Sequence, residues 1–179
     1  MSFYRELKGF ILELKGEGFM LSPRDRLFLK HLEESGYPIE LVREALRRFF
    51  LSYPPERRKK LPLSMCRHEL ERLKKHYIKK ETAGDWREKF RQKLELAEKL
   101  LGENLLVEEP EDPARAEELL EELEKRVAKR LWEGLEEEEK KSLLRKYATF
   151  KGDEELFKLL IRRELLKRAG IKSLSLFLD

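Results

Sequence analysis

The sequence predicts an all-α protein, a multi-helix bundle of about eight short helices. Three observations lead there. Apolar residues recur three and four apart along almost every segment, which places them on one side of a helix. Helix starts such as Ser22-Pro23 and Asp112-Pro113, and helix stops such as Gly36, Gly102 and Gly170, punctuate the chain at helix-length intervals. Strand-like alternation is nearly absent before the last few residues. The composition agrees. Charged residues make up 42% of the 179 residues and hydrophobic residues 40%, against ~25% charged in an average domain. Such a share would suit a disordered chain, but here the charges alternate with a regular apolar stripe. Dense Lys, Arg and Glu beside a single Cys also fits a heat-adapted protein.

The elements follow in order. Phe3, Leu7, Phe10, Ile11 and Leu14 predict a helix from about Phe3 to Lys15, capped by Ser2 and stopped by Gly16 and Gly18. Ser22 then caps a second helix, with Pro23 in its first turn and the charge of Asp25 set at the positive end of the dipole. Leu27, Phe28 and Leu32 share its inner side. Gly36 closes it and Pro38 opens a third helix, whose Ile39, Val42, Leu46, Phe49 and Phe50 face inward. This hairpin, residues 21–50, organises the first half. Tyr53-Pro54-Pro55 ends it, and the basic linker 56–64 follows. Pro62 or Ser64 starts a fourth helix reaching about Lys80, with Leu63, Cys66, Leu70, Leu73 and Tyr77 inward.

Residues 81–85 read as a joint that divides the chain into a basic helical subdomain, 1–82, and an acidic one, 83–179. Asp85 caps a fifth helix carrying Trp86, Phe90, Leu94, Ala97 and Leu101, and Gly102 ends it. The acidic loop 103–112 is expected to be pinned by Leu105, Leu106 and Val107. Asp112-Pro113 starts a sixth helix with Ala116, Leu119, Leu120, Leu123, Val127, Leu131 and Trp132 on one side. Its outer side predicts ion pairs such as Glu121–Lys125 and Glu122–Arg126. A seventh helix spans about Glu136 to Phe150 and an eighth spans Glu154–Ala169, which Gly170 closes. The last stretch, 171–179, crowds Leu174, Leu176, Phe177 and Leu178 together. The cost of exposing them predicts a tail docked in a groove of its own chain; the functional alternative is a motif docked on a partner or a second copy.

Net charge is +4 but unevenly placed. Residues 1–82 hold 19 Lys and Arg against 12 Asp and Glu, and the rest hold 21 against 24, so the balances are +7 and −3. The first half is therefore the candidate for an anionic partner.

Reaction chemistry is not visible. Gly16 and Gly18 follow no strand and have only Lys15 beside them, so they do not form a phosphate loop. Cys66 and His68 lie about 200° apart around one helix, which makes Cys66 an inward structural thiol and not a nucleophile. His68 and His76 are separated by roughly 12 Å of helix, too far to share one ion. No Glu stands three residues before any of the three His, and the acidic pair Glu117 and Glu121 reads as outward. No metal, cofactor or catalytic residue is expected. One Cys, no secretory pattern in the first 19 residues and no stretch of ~20 apolar residues predict a soluble cytoplasmic protein without a membrane role.

One resemblance adds to this. Ser22, Pro23 and Asp25, then Gly36, Pro38, Ile39 and Val42, then Arg57–Lys60 and Cys66, resemble an uncharacterised bacterial all-helical protein family. Its pattern runs from an "SP-x-D" helix start through "G-I-P-L-x-x-V" and a basic linker to an "L-x-Y-C" helix. Tyr37 and Met65 depart from it, and the match covers about the first 75 residues. The resemblance implies helical structure and transfers no activity.

The expected function is thus non-enzymatic, through a protein-binding or self-association surface, with Leu174, Leu176, Phe177 and Leu178 as the docking candidates. The alternative is a nucleic-acid-binding protein using the helix-turn-helix-like hairpin and the basic linker, through Arg43, Arg47, Arg57, Arg58, Lys59 and Lys60. A third reading, an unrecognised enzyme, requires a pocket with inward titratable groups.

Overall fold

A computed structural model describes residues 2–16, 20–81 and 84–178, without the side chains of 78–81. Gly18, and Thr82 and Ala83 of the expected joint, lie outside the described residues. Those residues form an all-α multi-helix bundle without strands, in two compact units, Met1–Tyr77 and Ile78–Asp179. Nine α-helices and two 3-10 turns are present among them, one more helix than the apolar spacing indicates.

The first unit starts with α1, Phe3–Lys15, α2, Pro23–Glu34, and α3, Ile39–Leu51. Ser2 precedes α1 but makes no side-chain cap bond. Ser22 does cap α2, its Oγ accepting the Asp25 amide at 3.1 Å. The α2–α3 turn is a Schellman closure around Gly36 at φ 79°: Tyr37 N–H donates to Leu32 O and Gly36 N–H to Glu33 O, both at 3.1 Å. The turn is tied onward by the Tyr37 hydroxyl, which donates to Glu71 Oε1 at 2.8 Å.

The additional helix is α4, Pro55–Arg58, inside the expected linker. Pro55 occupies its first turn, where a missing N–H costs nothing. A 3-10 turn, Leu63–Cys66, leads into α5, Arg67–Glu81. α1 packs on α2 and α3, and the 3-10 turn packs on α2 and α3. Leu7, Ile11, Phe28, Leu32, Val42, Leu46, Phe50, Leu63 and Leu70 are buried in the middle. Leu27, Ile39 and Phe49 are only half-buried; Leu29, Leu41 and Ala45 take the deeper places.

The second unit contains α6, Trp86–Leu101, α7, Pro113–Glu133, α8, Glu137–Lys146, a 3-10 turn, Ala148–Phe150, and α9, Glu154–Arg168. α7 is the spine, packing on α6 and α9 over Phe90, Ala97, Ala116, Leu120, Val127 and Leu166. Asp112 and Asp153 cap α7 and α9 by accepting the Arg115 and Leu156 amides at 2.8 and 3.1 Å. Asp85 precedes α6 without a side-chain cap bond. The α6–α7 loop is not held by Leu106, which stands fully in solvent. Glu98 Oε1 accepts the Leu105 amide at 2.8 Å, and Pro110 is buried. Glu121 pairs with Lys125 at 3.5 Å, whereas Arg126 turns to Glu103. Among the described residues no helix is long and apolar enough to cross a membrane.

Candidate functional site

The basic linker is not a slack connection. Residues of α1 and α2 and of the chain just after α3 hold it. Lys15, the last residue of α1, is 2% exposed and donates from Nζ to Leu61 O at 2.5 Å. Its ammonium also lies 5.3 Å from the centre of the Phe50 ring. Burial lowers its pKa, and the charge of Asp25 raises it in part. Asp25, on α2 and 3% exposed, accepts the Leu63 amide on Oδ1 at 2.8 Å. At the other end, Arg58 Nε donates to Tyr53 O at 2.8 Å. Gly16, at φ 97°, leaves room for the Lys59 stem: a Cβ there would stand 3.0 Å from Lys59 Cε. Burying an ammonium and a carboxylate is costly unless each is answered by partners. Both are spent here on fixing the backbone of residues 61–63.

The six sequence candidates for an anion partner divide accordingly. Arg57, Lys59 and Lys60 are exposed on the pinned segment, and their side chains make no hydrogen bond or ion pair among the described residues. Arg58 anchors the segment to Tyr53. Arg47 is committed to Glu44, Nε to Oε2 at 2.9 Å, and Arg48 binds the other oxygen at 2.6 Å. Hydrogen bonds from Arg47, then Arg48, pull the Glu44 pKa down. Arg43 lies with its guanidinium 5.8 Å from the Phe10 ring centre. Among the described residues, Glu44 therefore answers Arg47 and Arg48, whereas Arg43 meets only the Phe10 ring and keeps a buried Nε without a hydrogen-bond partner; of the six, Arg57, Lys59 and Lys60 are the exposed cations without a carboxylate partner.

The other candidate, the stretch from Leu174 to Leu178, is seated on its own unit. Leu174, Leu176 and Leu178 are buried and Phe177 is half-buried. Two carboxylates of α7 receive it. Glu124 Oε2 accepts the Leu174 amide at 2.9 Å and the Ser173 hydroxyl at 3.2 Å. Glu117 accepts the Leu176 amide at 2.8 Å and the Ser175 hydroxyl at 2.6 Å. Glu117 is thus buried and inward, not on the outer acidic face that its neighbours suggest. The crowding of Leu174, Leu176, Phe177 and Leu178 signals this contact in the sequence; the two carboxylates that receive it are not signalled there.

For catalysis, Cys66 is fully buried and burial pushes its thiol up to about 12, so it holds no thiolate at neutral pH. His31 is buried with Nδ1 3.5 Å from Ser35 Oγ, and His68 and His76 are exposed. A shallow depression at the end of α6 is lined by Glu95, Glu98, Lys99, Gly102, Glu103 and Asn104, without a Ser, Cys or His. Among the described residues, no three His, Cys, Asp or Glu are grouped to hold a metal ion.

Comparison with known proteins gives two matches. A family model described as "Uncharacterised protein" matches residues 2–85, a span that contains the whole pinned segment. An "Uncharacterized protein" of Aquifex aeolicus (strain VF5) is 39% identical over 181 residues, covering 96% of this chain and 98% of that one. No solved structure matches the chain.

Proposed function

The chain belongs to this uncharacterised protein family, and from that premise we propose that it is a non-enzymatic binding protein whose working surface is the pinned basic segment, with nucleic acid as the partner. One observation carries the reading. Arg57, Lys59 and Lys60 stand exposed and unneutralised on a backbone held by Lys15 and Asp25. Cations kept apart from carboxylates release counterions when they meet phosphates, and a fixed backbone lowers the ordering cost of binding. Residues 57–80 add to the field, with ten Lys and Arg against two Glu. No aromatic ring lies among residues 54–63, so phosphates rather than stacked bases are the recognised groups, and little sequence preference is expected.

The experiment is fluorescence anisotropy of a labelled 20-nucleotide strand, titrated at ~50 mM salt and upward. Three phosphate contacts give a log–log salt slope near −2 to −3. Replacing Arg57, Lys59 and Lys60 together by Ala removes the binding, while Arg47→Ala, whose partner is Glu44, leaves it nearly unchanged. No binding of the unmodified chain at ~50 mM salt rejects the reading.

A second reading, a protein partner, is supported by Leu106, a large apolar side chain that stands fully in solvent on the second unit. It predicts that Leu106→Lys weakens capture of that partner without altering the fold.

A further inference from the structure

We propose that the groove of α7 around Glu117 and Glu124 is a recognition site for the extended run 173–178, and that the same run of a second copy can fill it, so that the chain self-associates by reciprocal exchange. The inference uses different residues from the basic segment and does not depend on it.

The contact is built like peptide recognition. The run has no secondary structure of its own. It runs opposite to α7, Leu174 meeting Glu124 and Leu176 meeting Glu117. Each carboxylate takes one backbone amide and one serine hydroxyl, so it reads main chain and side chain together. Lys93 Nζ adds a donor to Ser173 O at 2.8 Å. The leucines between the serines enter the apolar layer beside Leu120 and Leu166. This is the division seen when an extended segment docks: main-chain bonds give affinity, and pockets for alternate side chains give specificity.

The run is also separable from the helix before it. α9 is closed by its own Schellman bonds, Ile171 N–H to Leu166 O at 2.9 Å and Gly170 N–H to Lys167 O at 3.0 Å. Ile171 O is further held by Arg163 Nη1 at 3.3 Å. Lys172, exposed, then joins a finished helix end to the seated run. Turning the chain at Lys172 would release 173–178 without opening α9. A second copy offers an identical run, so every lost contact is remade in the exchanged state. Tethering keeps the run at home in dilute solution, since a short linker acts as a concentration of order mM.

Two complementary full-length variants test it. One, Glu117→Ala with Glu124→Ala, has a damaged groove and an intact run. The other, Leu174→Asp with Leu176→Asp, has a damaged run and an intact groove. Each alone is expected to remain a single chain of 21.5 kDa by light scattering. Mixed, they are expected to form a 1:1 pair of twice that mass, and a labelled peptide of residues 171–178 is expected to bind the second variant and not the first. A mixture that stays as single chains with a peptide that binds neither overturns the proposal. Should either variant fail to fold, the unmodified chain decides. Warmed and cooled at ~1 mM, it should yield dimer that a tenfold excess of the peptide dissociates, and a chain that stays monomeric under those conditions overturns the proposal.

Discussion

Asp25 Oδ1 accepts the Leu63 amide at 2.8 Å across 38 residues of sequence. A residue in the first turn of α2 thereby fixes the chain that leaves the basic segment, and it places a negative charge near the buried ammonium of Lys15. Removing the acceptor strands a buried N–H and takes away a negative charge that favours the Lys15 ammonium. Asp25→Ala is expected to cost about 3 kcal/mol. Asp25→Asn, which keeps an acceptor oxygen, should cost less, about 1 kcal/mol. Urea unfolding followed by circular dichroism measures both.

At high pH two buried groups oppose each other. The Cys66 thiol is pushed up to about 12 from 9.0 by burial, so above about pH 9 the unfolded chain gives up a proton that the folded chain keeps. Stability therefore falls with rising pH between those values. Lys15, lowered from 10.5, does the reverse: the folded chain loses its proton first, and stability rises from that lowered value up to the unfolded one. Cys66→Ala should flatten the alkaline loss, and Lys15→Met should steepen it. Denaturant midpoints from pH 8 to 11 show the two signs. Native Cys66 should also resist a thiol reagent until the chain unfolds.

The acid side has a different source. Burial alone would raise the Glu164 carboxyl, but hydrogen bonds from Lys146 and Tyr147 and the charges of Lys146 and Lys167 outweigh it and hold the pKa below 4.5. Its stabilisation is complete above the unfolded value and is lost as pH falls through the folded one. In Glu164→Gln the decline in thermal midpoint below about pH 5 should be shallower than in the unmodified chain.

Glu117→Ala removes the acceptor of the buried Leu176 amide and the Ser175 hydroxyl. The expected loss is about 2–3 kcal/mol, with faster hydrogen exchange at Leu174 and Leu176 and little change in α1–α3. Unchanged exchange at Leu176 would show that the carboxylate does not hold the run.

Helix ends were legible in the sequence because their chemistry is local. Ser22, Gly36, Gly102 and Asp112-Pro113 act on atoms a few residues away, and α1 and α9 begin where the apolar spacing and the flanking residues place them, although Ser2 makes no cap bond and the Asp153 cap was not legible. The inward sides were legible for the same reason, apart from Leu27, Ile39 and Phe49, which are half-buried, and Leu106, which stands in solvent while Leu105 and Val107 pack on the core and the Glu98 side chain takes the Leu105 amide. Lys15, Asp25 and Glu117 were not legible as buried groups. Each sits among other charges in sequence, and its burial depends on a partner 46, 38 or 58 residues away. Linear spacing does set Arg47 apart from Arg57, Lys59 and Lys60: Glu40 and Glu44 share the outer surface of the third helix, which argues against a phosphate-facing helix, and Glu44 takes Arg47 and Arg48 at three- and four-residue spacing.

The most direct test compares the strand affinity of Asp25→Ala with that of Asp25→Asn at one low salt concentration, after circular dichroism has confirmed that both are folded. Both substitutions raise the net charge by one and touch none of the three exposed cations. If the pinned backbone is what presents Arg57, Lys59 and Lys60, Asp25→Ala binds the strand more weakly than the unmodified chain, and Asp25→Asn binds at least as well. Equal affinity of the two variants would contradict it and leave bulk charge as the whole explanation.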